Sequence, residues 1–353
     1  MGNFVHLHVH TEYSILDGAT KIAVAAKKAK ALGMPALAIT DHGNMYGAVN
    51  FFDACEKEGI KAIIGTEFYV CDDLTVKSGK AKLNHLVLLC KNEEGYKNIS
   101  LLKTLEAHHE GLICLSACLA GDIPQAILNR NFDEAERLVL WFKNLFGEDF
   151  YLEMQNHMLE EQLEVNKYLR TYAKKYGIKL VATNDVHYLE RSDAESQDVL
   201  MCVQMGADYD DPKRLRFPND EFYLKSYDEM AALFPNDPEA LETTLEIADK
   251  CIFGFVYGHY MFPHYYPETG EDPKTYIRGL IDAGIKKKYG AETKEIRDRI
   301  ESELAVIEKQ GFIEYFLIVW DYINAARNMG ISVGPGRGSG AGSIVAYLIG
   351  ITN

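Results

Sequence analysis

The sequence predicts an α/β protein: a closed barrel of seven parallel strands, followed by a mainly helical second module. Three observations predict it. Short apolar, β-rich runs alternate with amphipathic helical stretches as far as about residue 190. Chemistry-bearing polar residues recur at or just after the C-terminal ends of those runs. Beyond about residue 260 the alternation gives way to long helical patterns. Periodicity alone allows either a barrel or an open doubly wound sheet. The polar residues favour the barrel, because there the ends of all strands ring one mouth.

The first run, "FVHLHVH", sets His6, His8 and His10 at alternate positions, and a strand turns residues two apart to one face. The helical pattern "KIAVAAKKAKALG" follows. The second run, "PALAIT", leads into Asp41 and His42 and then the helix "GAVNFFDACEKEG". The third, "KAIIGTEFYV", holds Glu67. The fourth, "HLVLLC", opens on His85, which is the wrong end for a parallel barrel and requires that strand to be displaced. The fifth, "GLICLSA", leads to Cys118, and the sixth, "FYLEMQ", to Asn156 and His157. The seventh, "KLVATND", ends at Asp185 and His187. Between them lie "EEGYKNISLLKTL", "DEAERLVLWFKNLFG" and "LEEQLEVNKYLRTYAKKYG", the last two closing on the glycine that commonly ends a helix. After the Pro-containing join "MFPHYYPETGEDP" come "KTYIRGLIDAGIKKKYG" and "KEIRDRIESELAVIEKQG", which divides the chain into expected domains at 1–260 and 261–353.

Composition narrows the class. A chain of 353 residues that is 47% hydrophobic can bury a substantial core. No apolar run approaches the ~20 residues that span a bilayer, and no basic segment with an apolar core opens the chain. A soluble cytoplasmic protein with no membrane partner is expected. Seven cysteines at no regular spacing argue for reduced thiols rather than a disulfide framework. A net charge of −15 excludes a general DNA-binding field, so any nucleic-acid contact is local or mediated by a metal.

His, Asp, Glu and Cys at successive strand ends are ligand types for zinc, manganese or iron. Two or three such ions together suit phosphate-ester hydrolysis: they activate a bound water, clamp the phosphoryl oxygens and locally reverse an acidic surface.

In this order, "HLHVHTEYSILDG", "ALAITDHGNMYGAV", "IIGTEFYV", "HLVLLCKNEEGYKN", "LICLSACLAGDIP" and "VATNDVHYL" resemble the polymerase-and-histidinol-phosphatase (PHP) domain of bacterial DNA polymerase III alpha subunits, the C-family replicative polymerases. "RLRFPNDEFYLKS", "GFIEYFLIVWDYI" and "ISVGPGRGSGAGSIVAYLIGIT" extend the resemblance over essentially the whole chain. It implies a distorted seven-stranded (β/α)7 barrel, then the start of a polymerase palm. It also implies two or three ions (Zn, Mn or Fe) held by His8, His10, Asp17, His42, Glu67, His85, Cys118, Asp185 and His187, with His6 structural. The implied activity is phosphodiester hydrolysis, as in a 3′-5′ proofreading exonuclease. The alternatives are a non-catalytic scaffold that docks a separate proofreading exonuclease subunit, or a stand-alone PHP phosphatase. For the full-length protein the resemblance implies DNA, dNTP, Mg in the polymerase site, an exonuclease subunit and a sliding clamp. The family commonly carries a longer insertion where only "TLEA" separates "YKNISLLK" from "HHEGLICLS" here, and "CDDLTVKSGKAKLN" is short as well.

The segment "VGPGRGSGAGS" lacks the lysine of a P-loop, and no register provides a dinucleotide fingerprint. Free N–H groups ahead of a helix, with Arg337 and Ser339 beside them, suit a triphosphate. The resemblance assigns Gly336, Arg337, Gly338, Ser339 and Ser343 to the incoming nucleotide. The family's catalytic aspartates come after Asn353, so this chain is not expected to polymerise DNA by itself.

Overall fold

The computed structural model describes residues 3–71, 83–258, 261–336 and 338–353; most of "CDDLTVKSGKAKLN", and Arg337, lie outside the described residues. The chain divides into two compact units, Met1–Phe255 and Val256–Asn353. No helix among the described residues is long and apolar enough to cross a membrane.

In the first unit an extended segment, residues 3–10, leads to α1 (Ile22–Ala31), β1 (Ala36–Ile39), α2 (Ala48–Glu58), β2 (Lys61–Val70) and β3 (Asn84–Cys90). Then come α3 (Glu93–Leu101), β4 (Leu112–Leu115), α4 (Asp122–Leu128), α5 (Phe132–Phe146), β5 (Phe150–Met154), α6 (Glu160–Tyr176) and β6 (Lys179–Ala182). The helices α7 (Ala194–Met205), α8 (Tyr227–Leu233) and α9 (Pro238–Lys250) close the unit. Local signals set many of these ends: Gly59 and Gly177 adopt the left-handed conformation that terminates α2 and α6, and the side chains of Asn92 and Asn131 accept from the first turns of α3 and α5.

The six strands pair in chain order, forming one curled sheet. Seven parallel strands were expected, and the structure differs in two ways. First, β3 runs antiparallel to both β2 and β4, with His85 opposite Tyr69. A parallel return needs a crossover of a dozen or more residues, usually helical, and "CDDLTVKSGKAKL" has no amphipathic pattern to supply one. The reversal brings the start of β3 to the end where its neighbours finish, so His85 joins the mouth. Second, the "FVHLHVH" segment is extended but not a regular strand. It donates and accepts along both sheet edges: Ala38 N–H to His6 O (3.0 Å) and Thr40 N–H to Val9 O (2.8 Å) beside β1, Val186 N–H to His8 O (3.0 Å) and His10 N–H to Val186 O (2.7 Å) beyond β6. Side-chain hydroxyls interrupt its ladder, since Thr244 Oγ1 accepts from Val5 N–H and Thr40 Oγ1 accepts from Val9 N–H. The segment therefore joins the two edges of a six-stranded sheet.

Period-two alternation sorts the strand residues into two cores. Leu37, Ile39, Ile64, Leu88, Leu152 and Ala182 face the surrounding helices. Val5, Leu7, Ala38, Ile63, Val87, Leu89, Leu115, Tyr151 and Val181 form the inner core together with Ile247 and Ala248 of α9 and Cys251 just after it. Helix α9 meets the strand starts, where the Lys61 ammonium donates to Ala248 O (2.5 Å) and Tyr151 donates to Glu246 (3.1 Å). The opposite end of the inner face is left for polar side chains.

The second unit contains α10 (Pro273–Lys288), α11 (Lys294–Lys309), α12 (Ile313–Asn328) and α13 (Ile344–Ile349), packed around Ile277, Ile281, Ile285, Ile300, Leu304, Leu317 and Leu348. Asp272 caps α10, accepting from the Lys274 and Thr275 N–H groups.

Candidate metal centre

Continuing each inner row toward the mouth gives the site. The row of Ile63 passes Gly65 to Glu67, that of Val87 runs back to His85, that of Tyr151 reaches Glu153, and that of Val181 passes Thr183 to Asp185. Where a barrel core would continue with apolar layers, this one places ionisable side chains.

The "HTEYSILDG" loop is folded onto this rim by Asp41, whose carboxylate accepts from Thr11 N–H (2.6 Å), Thr11 Oγ1 (2.8 Å) and Ser14 Oγ (2.7 Å). A Cβ at Gly18 would sit 2.3 Å from Thr11 O, so the turn that carries Asp17 requires glycine there. Non-glycine residues with positive φ cluster at the site as well: Leu16 (63°) beside Asp17, Ala117 (63°) beside Cys118, and Asp185 itself (45°). Such conformations cost free energy, and the packing of the rim holds them.

Eight of the expected ligands fall into three groups, in each of which the ligand atoms lie within 4.8 Å of one another: His8, His10 and Asp185; His10, His42 and His187, sharing His10 with the first; and Glu67, His85 and Cys118. Asp17 stands beside the second, its Oδ2 3.5 Å from His42 Nε2. Glu67 is the hub, with His8 Nε2 at 3.2 Å, His10 Nε2 at 3.8 Å, His42 Nδ1 at 2.8 Å, His85 Nδ1 at 3.0 Å and Cys118 Sγ at 3.8 Å. The Nε2 atoms of His8 and His10 are 3.1 Å apart and share Asp185 Oδ1 at 3.3 and 3.1 Å.

These donors fit metal ions. Both ring nitrogens of His42, Glu67 Oε2 and Asp185 Oδ1 are buried without an aligned hydrogen bond, although His42 Nδ1 and Glu67 Oε2 are at ion-pair distance. Buried polar atoms are ordinarily satisfied, so their convergence points to a shared cation. The electrostatics agree. Burial disfavours charge on Glu67, but His8, His42 and His85 outweigh it and hold the carboxyl well below the usual range. Burial likewise opposes charge on His8, yet Asp185, Glu153 and Glu67 push it well up, whereas burial and the neighbouring His42 and His187 push His10 well down. Burial, with Glu67 and Asp185, pushes the Cys118 thiol far up, so a nearby cation is what would release its proton.

Two strand-end residues lie apart from this cluster. Asn156 donates to Leu233 O. His157 stacks on Phe222 (centroids 3.9 Å), its Nε2 donates to Asn184 O and its Nδ1 accepts from Gln162. His6 is also structural, with Nε2 2.9 Å from Lys225 O. Burial lowers the pKa of His157 to about 4, below the unfolded value of 6.5, so it stabilises the fold fully above pH 6.5 and loses that contribution as pH falls toward 4. Replacing His157 with Gln is expected to flatten the pH dependence of stability between pH 4 and 6.5 by on the order of 3 kcal/mol. Urea titrations at both ends of that window check this, and parallel profiles for the two chains would refute it.

The residue that sequence reasoning missed is Glu153. It is a lone carboxylate in the all-buried strand "FYLEM", and its parity with Tyr151 was the available signal.

In the second unit the side chain of Ser343 donates to Glu303 and accepts from Ala346 N–H (2.9 Å). The Ile344 and Val345 N–H groups, each 3.2 Å from Glu303, are taken by the same carboxylate. An internal anion thus occupies the start of α13. Gly336 and Gly338 have positive φ (108° and 61°), and Ser339 is exposed.

The PHP domain family model matches residues 6–105 and 101–157, and a model described as the bacterial DNA polymerase III alpha NTPase domain matches residues 275–353. Curated relatives named DNA polymerase III subunit alpha are 45% identical over 377 residues in Borreliella burgdorferi and 44% over 374 in Treponema pallidum. Each alignment covers 99% of this chain and 32% of the relative, so the chain spans about a third of their length. Among solved structures, an amidohydrolase from Chromobacterium violaceum is 15% identical, covers 52% of this chain and 87% of its own, and has a TM-score of 0.35.

Proposed function

Because the chain belongs to the bacterial DNA polymerase III alpha-subunit family and carries its PHP domain, we propose that residues 1–260 form a metal-dependent phosphodiesterase that removes nucleotides from the 3′ end of single-stranded DNA. The observation that carries this reading is the set of three donor groups around Glu67 on one rim, with buried ring and carboxylate atoms that lack an aligned hydrogen bond. His8, His10 and Asp185 would hold one ion. His42 and His187, with Asp17, would hold a second, and Glu67, His85 and Cys118 a third. Two or three ions of zinc, manganese or iron, when bound, supply an activated water and neutralise the phosphoryl oxygens. The chain's own part is to hold these donors rigid. Glu67, fully buried, ties the groups together, and the Asp41 clamp keeps Asp17 at the rim. A local cationic centre also lets an anionic strand approach a chain of net charge −15.

Residues 261–353 are then the N-terminal part of a polymerase palm. With the rest of the protein, Gly336, Arg337, Gly338 and Ser339 contact the incoming dNTP, Mg serves the polymerase site, and DNA, a proofreading exonuclease subunit and a sliding clamp are partners in the cytoplasm. Ser343 contributes through its bond to Glu303.

Elemental analysis of chain prepared without added metal is expected to find two or three ions. Removing them with a chelator should lower the melting temperature by roughly 10 °C, the effect of a ligand present at about a thousandfold its Kd. Hydrolysis of single-stranded DNA should exceed that of a small phosphomonoester and vanish with the metal. Fewer than one ion per chain, with no response to chelation, would refute the centre. Bound metal with no hydrolysis would refute the activity and leave a scaffold.

A further inference from the structure

We infer that Glu153 is a positioning residue for this centre, accepting from His8 Nδ1–H so that the opposite ring nitrogen, Nε2, is the one presented to an ion. The inference rests on the metal reading above and extends it to a residue outside the ligand set. Glu153 Oε1 is 2.6 Å from His8 Nδ1, and both side chains are fully buried. The same oxygen accepts from Thr183 Oγ1 and from Gln155 Nε2 (3.1 Å), which itself stands 3.4 Å from His8 Nδ1. The two sides of the imidazole thus meet different company. Nδ1 faces Glu153 and its supports, whereas Nε2 faces His10 Nε2, Glu67 Oε1 and Asp185 Oδ1 at 3.1–3.3 Å. With an ion among these rim donors, only one tautomer of His8 suits both sides, with the proton on Nδ1 and the lone pair of Nε2 on the ion.

A purely structural role explains Glu153 poorly. Among the described residues its ion-pair partner is His8, with no Lys or Arg at ion-pair distance, and its Oε2 is buried without a hydrogen bond. A buried carboxylate is costly unless it is paired, and its one partner here, His8, must give up its charge to hold an ion. A cation held on the far side of His8 supplies the compensation through the ring, and the carboxylate in return raises the donor strength of Nε2.

The test is a cobalt(II) titration of the full chain against a competing chelator, comparing wild type with Glu153→Gln and Glu153→Leu. Gln keeps the shape and an oxygen for Nδ1–H; Leu removes both oxygen and charge. The affinity of one cobalt ion should fall about 10–100-fold in Glu153→Leu and less in Glu153→Gln. The thiolate-to-cobalt absorption from Cys118 should stay unchanged, because His85 and Glu67 orient that donor without Glu153. The metal-free Leu chain should melt lower than wild type, because the buried donors of His8, Thr183 and Gln155 lose their acceptor, so cobalt affinity is the readout that separates the two roles. A purely structural role gives the same lower melting temperature but leaves cobalt affinity intact. Cobalt affinity equal to wild type in Glu153→Gln and in any folded Glu153→Leu would overturn the inference. Wild type that binds no cobalt would remove the centre itself, and the positioning role with it, whatever the variants do.

Discussion

A chain carrying Asp185→Asn and His187→Ala together is expected to lose metal-dependent hydrolysis by about three orders of magnitude or more and to lose at least one ion. Asp185 Oδ1 stands within 3.3 Å of both His8 Nε2 and His10 Nε2, and His187 belongs to the group with His10 and His42. A metal-activated water supplies several kcal/mol of barrier lowering, and each ~1.4 kcal/mol is tenfold in rate. The fold should survive. Asn tolerates the left-handed backbone that Asp185 adopts (φ 45°), and Val181 and Ala182 beneath it are fully buried in the two cores. Steady-state hydrolysis, metal content and circular dichroism of the double variant check this together. Full metal-dependent activity with unchanged metal content would place the reaction elsewhere. A scaffold would show no hydrolysis before or after the change, only altered stability.

The second large effect is expected in the helical unit, at Gly284. A Cβ there would lie 2.2 Å from Leu348 O and 2.8 Å from its carbonyl carbon, so α10 and α13 touch backbone to backbone and no rotamer relieves the contact. Glycine inside a helix costs about 1 kcal/mol relative to alanine, so only this close approach justifies it. Gly284→Ala should destabilise the unit by about 2–3 kcal/mol as α13 is pushed off. Gly279, in the same helix, has open space where its Cβ would go, and Gly279→Ala should instead stabilise by up to about 1 kcal/mol. The fluorescence of Trp320, packed against this core, reports the unfolding in a Trp141→Phe background. Equal stability of the two variants would show that the α10–α13 contact is looser than described.

Much of the site was legible in the chain itself. Ligand-type side chains at strand ends, two apart in "HLHVH" and "NDVH", need only the period of a strand to be read as neighbours. The helices were legible too, because their apolar periodicity and terminal glycines act within one element. Less was legible where a polar residue at a strand end serves packing rather than chemistry. Nothing local separates His157, neutral between Asn184 O and Gln162, from His187 at the rim.

What the sequence by itself determined was the set of donors, the alternation that carries them and the family to which the motifs belong. These depend on side-chain identity and on periods of two and 3.6 residues, which each segment carries alone. Only the tertiary structure decided the direction of β3, which turns His85 from a misplaced residue into a member of the rim. It also decided that "FVHLHVH" joins two sheet edges without forming a regular strand, because hydroxyls of Thr40 and Thr244, distant in sequence, take its backbone groups. The same holds for Glu153 behind His8 and for Glu303 at the start of α13, each 40 or more residues from its partner. Such pairings follow from which elements pack together, and no local pattern encodes a contact whose other half lies in another element.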